Sequence, residues 1–479
     1  MKLRAVFCLA LGLALSVCLA AGRTPPQPAA AETPATVDSS AVETADRGPD
    51  SAAAVTAAES ADSIAAAADS LAVDTLVSAP PAVEPDSTAP LPVETDTLLK
   101  ALASDTAAAL PDTAKAALPA DTLERAGQLI AEATARENPR VLRFNAIYLN
   151  SGSVASNKLM DRFIERARKY SLGGFVMDMK DDHGYLSYTS RLPLAKKIGS
   201  NTRRVGDPAS LVRRVHESGL TVTARVVCFK DRLLAGYSEN GAFPFAVLDS
   251  TTGSPWKQDN GEIWANPYHP EVHGYLSGIV EELVSFGFDQ VQLDYIRFPS
   301  DGNTDNCYYP VAIDSLNKAE VIGVFLSRVR TVLDTTAASL AADVFGWVPW
   351  LHKDRNYWIG QDWDVIAGYA DVICPMLYSS HFPASFKIKH GPLRAYNIVR
   401  EGTEKGVERR GGRPTGVQPY IQCFDWNEPY FGTAYILQQI RAAANGGAVG
   451  WIAWNARNDY SALWEALRVA NGISRSGSE

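Results

Sequence analysis

The chain has 479 residues, 46% of them hydrophobic and 21% charged, with a formal net charge of −9. That average hides an uneven distribution, because residues 24 to 125 hold 17 acidic residues against four basic ones and leave the remainder close to neutral. A near-neutral folded region gives no electrostatic basis for binding nucleic acid, and a segment of Ala, Pro, Asp, Ser and Thr with no aromatic residue buries too little apolar surface to offset the entropy of ordering.

Residues 1–23 carry Lys2 and Arg4, then an apolar run from Ala5 to Leu15, then small residues up to Ala20 and Ala21. This is the pattern of an export signal, so the mature protein is expected outside the cytoplasm, in the periplasm or on the outer surface of a bacterial envelope. Cys18, in "LSVC", resembles a bacterial lipidation box and offers a membrane tether through the N-terminus, whereas the bulk of Val17 argues for simple cleavage. Residues 24–125 read as a disordered linker. Within it, Asp followed by Ser or Thr and a small or apolar residue recurs nine times from Asp50 to Asp121. The triplet resembles an O-glycosylation signal of exported bacterial proteins, and compositional bias alone would also generate it. Of the cysteines beyond the signal, Cys228, Cys374 and Cys423 lie in apolar strand-like runs, where buried thiols are expected, and Cys307 does not. No Cys/His spacing suggests zinc.

From about residue 141 short apolar runs alternate with amphipathic stretches. The runs are 143–150, 173–180, 220–229, 288–295, 341–347, 371–378, 415–424 and 448–455. Between them, 157–170, 207–219, 270–287 and 319–333 have helical periodicity and capping residues. Strands alternating with helices pair in parallel, and with no Gly-rich phosphate turn the pattern predicts an α/β fold of the (β/α)8 TIM-barrel class over 141–472, preceded by the long linker. Such a barrel works at the carboxyl ends of its strands, and polar residues gather there. Asp178 and Lys180 close the second run, Lys230 and Asp231 follow the third, Asp294 closes the fourth and Asp425 follows the seventh. In "GFDQVQLDYIRFP" alternation turns Gln292 and Asp294 to the barrel axis and Val291, Leu293 and Tyr295 to the helical layer. In the fifth run Asp343 shares a face with Phe345 and Trp347. A carboxylate inside a barrel is costly unless paired, so Asp294 is either a structural partner of Arg297 or Lys180 or part of a site.

The stretches "MDMKDDHGYLSYTS", "ARVVCFKD", "GFDQVQLDYIRFPSDG", "ADVFGW", "IGQDW" and "ICPMLYSSHF" together resemble the successive motifs of a bacterial family described as "putative glycosyl hydrolase domain" proteins, over about 141–460. The resemblance implies a glycoside hydrolase barrel with a carbohydrate substrate. A more distant similarity is to the α-amylase type of barrel, in which an Asp ending the fourth strand is the nucleophile and a Glu on the fifth is the acid. It implies those roles for Asp294 and Asp343. The chain departs from that class in having Gln292 where an Arg is usual, an Asp for the Glu, and no His-Asp pair after the seventh strand.

Cleaving a glycosidic bond takes one carboxyl group to protonate the leaving oxygen and another to attack the anomeric carbon or activate water. The expectation is that burial against Phe345 and Trp347 keeps Asp343 protonated while Arg297, Lys180 or Lys230 keeps Asp294 ionised. Asp178, Asp181 or Asp425 are alternatives to Asp343. Candidates for holding the glycan are Asp178, Lys180, Asp181, Lys230, Arg297, Trp347, Tyr378, His381, Gln422, Asp425 and Trp454. Aromatic faces stack on sugar rings, and Trp256, Trp264, Trp350, Trp358, Trp363 and Trp426 also fall in expected strand-end loops, with about half of the tryptophans expected to be packing residues. The loop 230–268 is long enough for a lid or a subsite wall. His183, His269, His352 and His381 fall in loops, while His216 and His273 fall on helices and are expected to be solvated.

Nothing in the sequence implies a cofactor, and the oligomeric state is open. Asp178, Asp181 and Asp182 could bind a divalent cation, which leaves a metal-dependent reaction such as deacetylation as a third reading. A catalytically inactive barrel that binds carbohydrate as an envelope scaffold is the second. The first is an exported glycoside hydrolase using two carboxylates.

Overall fold

The computed structural model describes residues 138–312, 315–351, 358–386, 388 and 391–474. The export signal, Cys18, the acidic linker and His352 lie outside the described residues. The barrel strands are β1 (Ala146–Leu149), β2 (Gly174–Lys180), β3 (Thr221–Val227), β4 (Gln290–Asp294), β5 (Ser339–Phe345), β6 (Val372–Met376), β7 (Gly416–Val417 and Tyr420–Gln422) and β8 (Ile452–Trp454). Each pairs in parallel with the next, β8 pairs with β1, and Tyr420 of β7 pairs back to Met376 of β6, so the sheet closes into the expected barrel. The seventh strand is broken at Gln418 and Pro419. Proline has no amide hydrogen to give the ladder, and its carbonyl instead accepts from Ile452 N–H at 3.0 Å.

The helices follow as α1 (Asn157–Lys169), α2 (Pro208–His216), α3 (Pro270–Ser285), α4 (Lys318–Leu333), α5 (Trp363–Ala367), α6 (Arg394–Arg409), α7 (Thr433–Asn445) and α8 (Ser461–Ala470). Their starts are set by caps readable in the sequence. Ser156 accepts from Leu159 N–H before α1, and Asn317 with Glu320 forms a capping box before α4. Each buries one stripe; in α1 this is Met160, Ile164 and Ala167.

Strand alternation divides the apolar residues into two cores. Val291, Leu293, Leu340 and Ile373 belong to the large core between sheet and helices, whereas Ala146, Tyr148, Val176, Ala341, Val372, Cys374, Tyr420 and Ile452 form a small one on the barrel axis. Gln292 lies on the axis, where it accepts a hydrogen bond from the Tyr420 hydroxyl at 3.0 Å across the barrel. Cys228, Cys374 and Cys423 are buried free thiols as expected, and Cys307 is half-buried and free.

Two expectations about packing are corrected. His273 is not solvated: it is buried under α3, its Nε2 lies 2.6 Å from the Pro267 carbonyl, and burial pushes its pKa down to about 4. In the long 230–268 loop, Trp256 and Trp264 face inward, and Leu248–Asp249 pairs antiparallel with Cys307–Tyr308. The loop is therefore a packed wall beside the barrel mouth, and neither tryptophan is available to a sugar.

Close approach at the mouth restricts Gly346, which follows β5: a Cβ there would lie 2.1 Å from the Met376 carbonyl oxygen of β6. Gly346→Ala is expected to lower the unfolding free energy by about 1–3 kcal/mol by prising these strands apart, read as a lower urea midpoint at unchanged slope.

Candidate active site

Asp178 lies two residues before the end of β2, Arg225 sits within β3 and Asp294 closes β4, and the three side chains meet near the top of the barrel. Register explains the meeting. Asp178 is opposite Arg225, Arg225 is opposite Gln292, and Val227 is opposite Asp294, so the guanidinium lies between two acidic strand ends. Its NH1 donates to Asp178 Oδ1 at 2.6 Å, while NH2 and Nε both donate to Asp294 Oδ2, at 2.6 and 3.1 Å. The Tyr148 hydroxyl donates to the other oxygen of Asp178 at 3.0 Å, and the Tyr295 amide donates to the other oxygen of Asp294 at 2.6 Å. The guanidinium also lies over the rings of Tyr148 and Trp454, at 5.5 and 5.2 Å from their centroids, and those two rings stack on each other at 3.9 Å.

The electrostatics separate the carboxyl groups. Burial pushes the Asp178 pKa up to about 6, with Arg225 opposing and Asp181 and Asp182 adding to the rise. Burial also disfavours charge on Arg225, but Asp178 and Asp294 more than offset it. Asp343 is different: burial, reinforced by Asp294, holds its pKa well above the usual carboxylate range. Gln292 and Tyr420 approach closely enough to oppose this, yet neither oxygen of Asp343 closes a well-formed hydrogen bond. Exposure separates them too, since Asp178 and Asp294 each keep 5% of their surface and Asp343 keeps none.

Backbone conformation contributes at Tyr295, whose φ of 51° lies in the left-handed region that a bulky residue rarely adopts. Tyr295 is half-buried and packs against the same large core as Val291 and Leu293, with Lys230 and Arg297 5.2 and 5.1 Å from its ring centroid.

Several expected partners have other work. The counter-ion of Asp294 is neither Arg297 nor Lys180. Lys180 is buried and paired with Asp231 at 2.8 Å, and it donates to the Val227 carbonyl at 2.7 Å. A register shift in β2 between Asp178 and Lys180 accompanies this re-aiming. Arg297 donates to the Phe298 carbonyl and Ser300 and packs over Trp264 and Phe345. Lys230 binds Asp182 at 3.1 Å. Asp181 accepts from the His183 and Tyr185 amides and pairs with Arg204, and so shapes the loop after β2. Gln422 accepts from Ser380 N–H and donates to the Phe424 and Trp426 carbonyls, which ties β7 to the loop after β6. Asp425 is exposed, away from the buried pair.

Of the aromatic candidates, Trp454, Trp347, Trp358 and Trp426 are partly exposed, while Trp363 is buried. Trp347 stacks with Trp358 at 6.0 Å. Tyr378 is buried beside His381 and Phe424, and burial lowers the His381 pKa to about 4. Among the described residues no group of three or more His, Cys, Asp and Glu is arranged to hold a metal ion, and Asp178, Asp181 and Asp182 are committed to Arg225, Arg204 and Lys230.

Sequence reasoning missed Arg225, although a signal existed. In "TVTARVV" the charged residue interrupts a strand as Asp294 does, and alternation places it on the axis with Thr223. Tyr148 carried no such mark.

Residues 146–460 match the family described as "putative glycosyl hydrolase domain". No curated protein matches the chain. Among solved structures, a hypothetical protein from Ruminiclostridium thermocellum is 30% identical over a match covering 41% of this chain and 97% of that one, with a TM-score of 0.37. The PgaB (BpsB) glycoside hydrolase domain from Bordetella bronchiseptica is 16% identical, the match covering 68% of this chain and 98% of that one with a TM-score of 0.53, and it shares the barrel fold.

Two substitutions separate structure from chemistry. Lys180→Met leaves Asp231 buried without its partner, an expected loss of about 3–5 kcal/mol in unfolding free energy by denaturant titration, with no change in the pH at which any activity is lost. Asp343→Asn replaces a fully buried carboxyl group, whose pKa burial and Asp294 raise, by a neutral one of the same shape. Turnover is expected to stay within about threefold of wild type, and a loss comparable to that from Asp294→Asn would return Asp343 to the reacting centre.

Proposed function

As a member of the "putative glycosyl hydrolase domain" family the chain is a glycoside hydrolase barrel, and we propose that it cleaves a glycan outside the cytoplasm by a two-carboxylate mechanism, with Asp294 as nucleophile or base and Asp178 as acid. The observation that carries this is one guanidinium held between two carboxyl groups that keep exposed surface at the mouth of the barrel. Asp294 has three hydrogen-bond donors and a full positive charge converging on it, the surroundings of an anion. Asp178, with a pKa pushed up to about 6, holds a proton in mildly acidic conditions and can give it to the leaving oxygen. Asp343 favours the acid role by analogy with amylase-type barrels, but a group with no exposed surface does not touch a leaving oxygen in this conformation.

The partly exposed aromatic residues at the rim, Trp454, Trp347, Tyr295 and Trp426, supply faces on which sugar rings can stack. The export signal read at residues 1–23 and the linker behind it support placement in the cell envelope, with Cys18 as the point of lipid attachment. Fractionation of cells, with radiolabelled palmitate to report lipid on Cys18, tests that placement.

Asp294→Asn, screened with wild type against a panel of polysaccharides and 4-nitrophenyl glycosides, tests the reaction. Turnover is expected to fall by on the order of 10³ or more with binding retained, and Asp178→Asn is expected to lose about 10²–10⁴-fold. Equal turnover in wild type and Asp294→Asn would refute the assignment. For wild type, kcat/KM is expected to fall as pH rises through about 6, because the acid works only while Asp178 is protonated.

A further inference from the structure

We propose that Arg225 is the shared counter-ion of the two reacting carboxyl groups, keeping one negative charge on its guanidinium before and after the glycosidic bond breaks, and that it thereby positions both. The inference rests on the roles given above to Asp178 and Asp294. The geometry behind it is the division of donors: NH1 serves Asp178, while NH2 and Nε serve Asp294. Neither carboxyl group has to let go for the other to bind.

Charge follows through the step whichever stereochemical course the enzyme takes. At the start Asp178 carries the proton and Asp294 the negative charge. As the bond from the anomeric carbon to the leaving oxygen breaks, the Asp178 proton passes to that oxygen and Asp178 becomes the anion. If Asp294 attacks directly, a bond forms between its oxygen and the anomeric carbon, and the resulting ester is neutral. Water then hydrolyses the ester, returning its proton to Asp178 and the charge to Asp294. If Asp294 acts on water instead, water bonds to the anomeric carbon and its proton neutralises Asp294. On either course one carboxyl group gains the charge that the other loses, and the cation between them never faces two anions or none. A counter-ion bound to only one carboxyl group would oppose half of the cycle.

Arg225 is built to stay in place. It is buried, its guanidinium lies over Tyr148 and Trp454, and the Tyr148 hydroxyl holds the far oxygen of Asp178. Other ionisable groups facing the pair are Asp181 and Asp182 after β2, Cys228 and Lys230 after β3, Arg297 after β4, Asp343 on β5, Cys374 on β6, Tyr378 after it, and Tyr148 and Tyr420. Asp181 and Asp182 are paired with Arg204 and Lys230, and Asp343 is held protonated, so Arg225 is the cation that both reacting groups bind directly. It also supplies from β3 the positive charge that Gln292 does not supply from β4.

The test is the pH dependence of kcat and KM for Arg225→Met and Arg225→Lys on the 4-nitrophenyl glycoside that wild type cleaves best, with circular dichroism to confirm folding. In Arg225→Met, kcat is expected to fall about 100-fold with KM changed far less. The alkaline limb, set by Asp178 and normally lowered by the guanidinium, is expected to move up by about one pH unit or more. Arg225→Lys keeps the charge and so the limb, but one ammonium does not hold both carboxyl groups in the same fork geometry, and kcat is expected to stay at least about tenfold down. A merely structural role would lower kcat and stability and leave the limb where it is, and that result overturns the proposal. Should Arg225→Met fail to fold, Arg225→Lys decides alone, and wild-type kcat in that variant overturns it equally. An alkaline limb that survives in Asp178→Asn would instead refute the acid assignment and not the bridging role of Arg225.

Discussion

A guanidinium that keeps only 5% of its surface at the mouth of a parallel barrel is neutralised here from the strands on either side of it. In this protein the neutralising groups are Asp178, near the end of β2, and Asp294, the last residue of β4, and each carboxyl group still has a little exposed surface. The rest of the mouth is arranged around that triad. Tyr148 and Trp454 close one side of it, the Tyr295 amide turns back onto Asp294, and Asp343 lies neutral beneath. Removing one charge from such a cluster leaves the others uncompensated in a low-dielectric setting, and this makes the three residues a unit rather than three contributions.

Burial acts on the acidic groups in graded fashion. Asp343 has no cation bonded to it and is driven to its neutral form. Asp178 shares Arg225 with Asp294 and is raised only to about 6. Asp182, bound to Lys230, is lowered although burial raises it. The differences among these acidic groups follow from where one arginine and one lysine are aimed.

Tertiary packing also separates residues that look equivalent in the chain. Lys180 is two residues from Asp178, but the register shift between them sets it opposite Val226, and it serves Asp231 and the Val227 carbonyl of β3. Trp256 and Trp264 sit in a loop beside the opening, as sugar-binding tryptophans do, yet their rings pack the wall inward, Trp264 bonded to Gln258 and Trp256 to the Asn303 carbonyl. Lys180 and Trp256 are claimed by neighbours from distant parts of the chain, and Trp264 by a residue of its own loop.

The eight-fold alternation of apolar runs and capped amphipathic helices determined the barrel by itself, since a strand buried on both faces has to pair in parallel and each crossover has to cover it. The same period of two placed Gln292, Asp294 and Asp343 on the axis. What the sequence did not decide is which charge meets which. Strand register puts Arg225 level with Asp178, the guanidinium reaches Asp294 on the far side, and full enclosure leaves Asp343 without a surface. Periodicity reports which way a side chain points, but pairing energy depends on distances of a few ångströms between strands far apart in sequence, and only the closed barrel sets those.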